Sequence, residues 1–194
     1  MRKTIVKTAL ITLGVVLTLI ILTFTVFSLF FPKVMLNLTS DMGLDGFALT
    51  YSEQQYKNSK SLTDLEDLLY RANELNRTDI IVEYSLDMIE SDKFEEFSNT
   101  RQDTGDLSYK SYIIGNYLIA LKDSNENYSV VVQKAKTYFL DFYTEYEKYN
   151  PFNILVINTA SSETENKQLL KTELEALTPT YSCPLLTNDI GHLS

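Results

Sequence analysis

Residues 61–88 read SLTDLEDLLYRANELNRTDIIVEYSLDM, and their spacing decides the fold class. Leu62, Leu65, Leu69, Ala72 and Leu75 recur at three- and four-residue intervals, which lays them along one face of an α-helix. Ser61 stands where a helix N-cap belongs, with its hydroxyl placed to accept from the amide of Asp64, whose carboxylate suits the positive end of the helix. Thr78 with Asp79 predicts a second cap, and Ile81, Tyr84 and Met88 form the next apolar stripe. With only Asn76 and Arg77 between them, the two helices are expected to pack antiparallel.

The same period extends outward in both directions. Upstream, Leu44, Phe47, Ala48, Tyr51 and Tyr56 predict a helix over about 41–57. Downstream, Phe94 and Phe97 mark a short helix over 92–99, before a polar break at 100–106. Tyr109, Ile113, Tyr117 and Leu121 form an i,i+4 row, and after 123–127 a longer helix carries Val132, Ala135, Phe139, Phe142 and Tyr146. This last pair is expected to be the best-packed hairpin. Pro151 opens a short segment through Ile157, and Ser161 or Ser162 caps a helix with Leu169, Leu170, Leu174 and Leu177 that Pro179 ends. The fold class is therefore all-α, and the turn residues an all-β chain needs are too few, since only Pro151, Gly43, Gly46, Gly105 and Gly115 fall between Lys33 and Thr178.

Residues 8–31 differ in kind. Twenty-four positions pass without a charge, rich in Leu, Ile, Val and Phe, and as a helix they reach about 36 Å, enough for a hydrocarbon core of about 30 Å. A backbone in lipid must satisfy its own hydrogen bonds, so a lone apolar stretch of this length is expected to be a transmembrane helix. Arg2, Lys3 and Lys7 precede it and only Lys33 follows closely, which places the N-terminus in the cytoplasm and the rest outside. A cleaved secretory signal would have a shorter apolar region and a small-residue end, whereas this run finishes Phe27-Ser28-Leu29-Phe30-Phe31-Pro32. The expected organisation is a cytoplasmic stub 1–7, a transmembrane helix 8–31, a juxtamembrane linker 32–40, an extracytoplasmic helical domain 41–178 and a flexible tail 179–194.

The first helices of the proposed pairs begin near 41, 78, 106 and 151, intervals of 37, 28 and 45 residues. Their mean is close to the roughly 34-residue tetratricopeptide repeat, in which hairpins bury their faces by stacking on one another. The match is architectural, a TPR-like α-solenoid of stacked antiparallel helical hairpins, because the repeat's signature Trp, Gly and Pro positions are not recovered in order. Ser61-Leu62-Thr63-Asp64-Leu65 through Ala72, Asp79 to Met88, and Phe94-Glu95-Glu96-Phe97 also resemble membrane-anchored helical-repeat proteins of low-GC Gram-positive bacteria. The resemblance spans about the middle third of the chain. It implies a TPR-like fold and a bacterial envelope location, and no activity.

Charge and composition narrow the function. The net charge is -9, and beyond the three N-terminal cations the chain has 14 basic against 26 acidic residues. With no basic stripe to displace counterions from phosphates, nucleic acid is not an expected partner. Cys183 is the only cysteine and His192 the only histidine, which excludes an internal disulfide and leaves no Ser-His-Asp or Cys-His constellation in the body. There is no P-loop, G-x-G-x-x-G or H-E-x-x-H. Glu83 with Asp87, and Asp141 with Glu145, sit one helical turn apart, a spacing ordinary for solvated faces. No catalytic, cofactor-binding or metal-ligating residue is predicted, and no cofactor.

Thirteen tyrosines are the most distinctive feature of the composition. A rigid apolar ring with a polar tip suits both a half-buried seam and a peptide groove, and Tyr84, Tyr112 and Tyr117 are the candidates to line a groove. Asn37, Asn76 and Asn127 open N-x-S/T triplets, read as chance. The expected function is a membrane-tethered module that binds a protein or peptide in the cell envelope. The alternatives are an envelope enzyme or enzyme subunit using carboxylate or metal chemistry, and a single-pass sensor or regulator for which the short N-terminal stub leaves little output.

Overall fold

The computed structural model describes residues 2–102, 108–124, 127–138, 155–156, 159, 164–176 and 190–193, apart from the side chains of 2–6 and 9. The fold is all-helical, and no strand occurs among the described residues. The elements are α1 (Arg2–Phe30), α2 (Pro32–Asp41), α3 (Asp45–Ser59), α4 (Leu62–Glu74), α5 (Thr78–Ile89), α6 (Phe94–Asn99), α7 (Tyr109–Asp123), α8 (Tyr128–Thr137) and α9 (Thr164–Glu175). The chain divides into two compact units, Met1–Arg71 and Ala72–Ser194, with the division inside α4.

In the first unit, α1 stops at Phe30 because a proline two positions on disfavours helical geometry at Phe31, which sits at φ -131°, ψ 58°. Pro32 then opens α2 at the one helical position where its missing N–H costs nothing. Residues 32–40, read from sequence as a linker, are thus helical. Pro32, Met35, Leu36 and Thr39 are buried along one face of α2, and α2 with α3 forms the most extensive helix pairing. Met35, Leu36, Ala48 and Tyr51 make one core cluster.

The chain reverses between α2 and α3 through a Schellman motif. Gly43 adopts φ 67°, its N–H donates to Ser40 O at 3.0 Å, and the Leu44 N–H donates to Thr39 O at 2.8 Å. Asp41, expected to start a helix, therefore ends one, and α3 begins at Asp45.

The N-terminus of α4 is capped as its sequence indicates. The Asp64 N–H donates to Ser61 Oγ at 3.1 Å, while the Asp64 carboxylate accepts from the hydroxyls of Ser59 and Ser61 and from Gln55 Nε2 at 3.5 Å. Leu65, Leu68 and Leu69 are buried, each such side chain contributing about 1.5–3 kcal/mol relative to full exposure.

The second unit is organised around α7. Ile113, Ile114, Tyr117, Leu118 and Leu121 are all buried on one arc of about 140°, a face broad enough to take several neighbours at once. It packs chiefly on α5, and less on α6 and α8. Among the described residues α7 pairs more extensively with α5 than with α8, through the α5 stripe of Ile81, Tyr84 and Met88, all buried, while Phe139, Phe142 and Tyr146 of the expected α7–α8 hairpin lie outside the described residues. The Tyr109 hydroxyl donates to Met88 Sδ at 3.9 Å, and the Tyr109 ring meets Phe97 of α6 edge-on at 6.0 Å.

Before α5, Asn76 at φ 52° provides a second Schellman turn, with the Arg77 N–H donating to Ala72 O at 2.8 Å. Arg77 is the N-cap residue of α5 and makes no side-chain cap bond, so Thr78 is the first helical residue rather than the cap. Ser108 and Asn127 cap α7 and α8 by accepting from the amides of Ser111 and Ser129. Leu170 and Leu174 are the buried residues of α9, and Lys136 of α8 reaches Glu173 of α9 at 2.7 Å. The expected contributions of Phe139, Phe142, Tyr146, Pro151, Ser161, Ser162, Leu177, Pro179 and Cys183 lie outside the described residues.

Candidate functional site

Within α1, Leu10–Phe30 is 21 residues long and apolar, and none of that window is buried by the rest of the chain. At 1.5 Å per residue it measures about 32 Å, long and apolar enough to cross a membrane. Side chains that a soluble fold would cover are bare: Leu19 is 58% exposed, Ile21 65% and Phe30 71%. An uncovered apolar surface of this extent marks an element built for a non-aqueous or protein neighbour.

Several polar side chains of this helix are satisfied without water. Thr18 Oγ1 donates to Gly14 O at 2.9 Å and Thr25 Oγ1 to Ile21 O at 2.8 Å. Ser28 is hydrogen-bonded to the Tyr51 hydroxyl at 2.7 Å. Hydroxyls returned to the carbonyl one turn back leave no unpaired donor, so these residues do not oppose an apolar surrounding.

The three tyrosines proposed for a groove are separated by their burial. Tyr84 on α5 and Tyr117 on α7 are interior, 5% and 2% exposed, and serve as packing residues of the second unit. Tyr112 is half-buried, with its hydroxyl accepting from Asn73 Nδ2 at 3.5 Å. Of the three, Tyr112 alone reaches the surface.

Sequence reasoning missed Tyr138, just past the end of α8. Burial, then the nearby Tyr117 phenol and Glu90 carboxylate, raise its pKa above the ordinary tyrosine value of 10.0. Tyr128 is likewise raised by burial, partly offset by its 2.6 Å hydrogen bond with Thr159. Both phenols stay neutral well past physiological pH. Both rings are drawn into the packing, and Tyr128 adds its hydrogen bond with Thr159.

Glu83 and Asp87 are exposed on α5, while Asp141 and Glu145 lie outside the described residues. Asp64 is engaged by its serine neighbours, and Asp67 accepts from Ser52 Oγ at 2.5 Å and pairs with Arg71 at 3.0 Å, an arrangement that joins α3 to α4 within the first unit. Among the described residues no three His, Cys, Asp or Glu converge where a metal could bind. His192 is exposed. Asn127 spends its side-chain oxygen on the α8 cap, at 3.0 Å from the Ser129 amide. No protein-family profile, curated protein or solved structure matches the chain.

Proposed function

We propose that this chain is a single-pass, membrane-tethered interaction module of a cell envelope, with residues 1–7 in the cytoplasm and the helical body on the outer side. One observation carries the reading: Leu10–Phe30 is continuous, apolar helix left bare by the chain, while the rest has a buried helical core of its own. Such a helix gains by entering hydrocarbon, where its backbone bonds are already satisfied. Three cations before the span and one soon after it support the orientation.

The body is read as a TPR-like stack of helical hairpins, a platform for a protein or peptide segment. The tight reversal at Gly43, which folds α3 back on α2, and the packing of α5 on α7 support that reading. Of Tyr84, Tyr112 and Tyr117, Tyr112 is the one at the surface and so the one that can meet such a partner, and the acidic surface disfavours nucleic acid. We assign the chain no reaction.

Two measurements test this. Membranes of cells expressing the full chain are washed with alkaline carbonate, and intact cells stripped of their wall are treated with protease. The chain is expected to stay in the membrane and its body to be digested from outside; release by carbonate, or full protection of the body, overturns the placement. Proximity crosslinking at native expression is expected to capture a reproducible neighbour through the helical body. Failure to capture one in repeated experiments overturns the interaction role.

A further inference from the structure

Resting on the reading of α1 as a membrane span, we infer that the exposed apolar face of α2 and the start of α3 lies in the membrane–water interface beside the point where α1 leaves the bilayer. The argument begins with the arrangement of residues around α2. At about 100° per residue, its side chains divide into three sectors. Pro32, Met35, Leu36 and Thr39 occupy the buried sector. Lys33, Asn37 and Asp41 form an exposed polar one. Val34 and Leu38, continued by Phe31 and Met42 at the two ends, make a third sector that is apolar and 46–62% exposed. A soluble helix needs only the first two. The third is a surplus apolar stripe that the described residues leave about half exposed, with the Phe31 ring meeting Phe27 of α1 at 5.3 Å.

Its position identifies the occupant. Only Phe31 separates α1 from α2, so the stripe starts within one residue of the apolar helix. The hydrogen bond between Ser28 and Tyr51 draws α3 to the last turn of α1. Phe47 lies four residues before Tyr51, on the same side of α3, and is 61% exposed; Leu44 beside it is 40% exposed. The bare apolar side chains thus belong to the two helices that directly follow and touch the last turn of α1, beside which a bilayer crossed by α1 would present its headgroup and acyl boundary. An amphipathic helix binds such a boundary by sinking its apolar face about 5–10 Å into it. Lys33, exposed in the first turn of α2, can extend its ammonium to the lipid phosphates while its stem stays among apolar groups. Asp41 lies in the polar sector of α2 and Asp45 lies on the opposite side of α3 from Phe47, both exposed, so each can stay in water while the apolar side is seated. Interfacial seating would fix the tilt of the first unit relative to the membrane, which a tether alone does not.

The test uses the full chain in vesicles of phosphatidylcholine with a minority of phosphatidylglycerol. In a Cys183→Ser background, single cysteines at Leu38→Cys, Met42→Cys and Phe47→Cys carry an environment-sensitive fluorophore, with Leu19→Cys and Glu83→Cys as references. Quenching is read with shallow and deep nitroxide lipids and with aqueous iodide. The three test positions are expected to be quenched several-fold more by shallow than by deep nitroxide and to be several-fold less sensitive to iodide than Glu83→Cys. Iodide sensitivity equal to that of Glu83→Cys, with Leu19→Cys still quenched by deep nitroxide, overturns the interfacial seating and leaves the span intact. Protection from lipid and iodide alike, with cysteine crosslinks between chains, overturns it in favour of a second copy. Loss of deep quenching at Leu19→Cys overturns the span itself.

Discussion

The hydroxyls of Ser28 and Tyr51 lie 2.7 Å apart, so a hydrogen bond joins the last turn of α1 to the middle of α3. Tyr51 is buried and belongs to the core cluster of Met35, Leu36 and Ala48, which couples the apolar helix to the packing of the first unit. Removing either partner leaves the other hydroxyl part-buried and unpaired. Tyr51→Phe and Ser28→Ala are each expected to destabilise the chain by about 1 kcal/mol, with a coupling of about 0.5–1.5 kcal/mol in a double-mutant cycle. Denaturant unfolding in detergent micelles measures this, and strictly additive losses would refute the bond.

The N-terminus of α4 gives a sharper contrast. Ser61 accepts from the amide of Asp64, whereas Thr78 is the first residue of a helix that lacks a side-chain cap. Ser61→Ala should cost about 1 kcal/mol and Ser61→Gly only a few tenths. Thr78→Ala should be close to neutral. Thermal unfolding followed by helical circular dichroism distinguishes the two sites, and equal losses at Ser61 and Thr78 would contradict the capping described here.

Burial sets the alkaline limit of the second unit. Desolvation raises the folded pKa of Tyr128 above 10.0, with the Thr159 hydrogen bond acting in the opposite direction, and burial raises Tyr138 in the same sense. A phenol whose folded pKa exceeds its unfolded value contributes stability that is fully present below about pH 10 and is lost as pH rises through the folded value. Stability should therefore fall from pH 10 upward in step with tyrosinate absorbance. Tyr128→Phe should flatten part of that fall. At neutral pH it should cost about 1–3 kcal/mol, because the Thr159 hydroxyl loses its buried partner.

Arg77 and Asp79 make a two-point contact, Nε to Oδ1 at 2.8 Å and Nη2 to Oδ2 at 2.7 Å. The side-chain bond from Arg77 lowers the Asp79 pKa below 3.8. The associated stability is present above the unfolded pKa and is lost as pH falls through the depressed folded value. The pair is largely exposed, so the effect on unfolding should be small. Arg77→Ala is expected to move Asp79 back up toward 3.8 in a carboxyl NMR titration. An unchanged titration would show that the contact does not persist in solution.

Local signals carried the helical class. The period of Leu65, Leu69 and Ala72, the stripe of Ile81, Tyr84 and Met88, and the row of Tyr109, Ile113, Tyr117 and Leu121 are all buried on helices. The cap at Ser61 was legible because capping joins residues three apart. The helix at 32–41 was less legible, since ten residues with two apolar sectors blur a single stripe. Pro32, poised for the first helical position, was the signal that marks it. For the tyrosines, residue type predicted a site but gave no depth. Tyr84, Tyr112 and Tyr117 share one chemistry, and their neighbours put two inside and one at the edge.

By itself, the chain's order of residues determined a long apolar helix at the start, an all-helical body after it, and most of the inward faces. Those properties depend on hydrogen bonds and side-chain spacing within a few residues. Tertiary structure alone decided that α7 docks chiefly on α5, that Tyr51 reaches Ser28, that Tyr128 meets Thr159, and that an apolar sector of α2 stays uncovered. Apolar attraction has no direction, so an amphipathic face specifies that it will be buried but not by what. The partner is settled by the shapes of surfaces that sequence separation keeps apart until the chain folds.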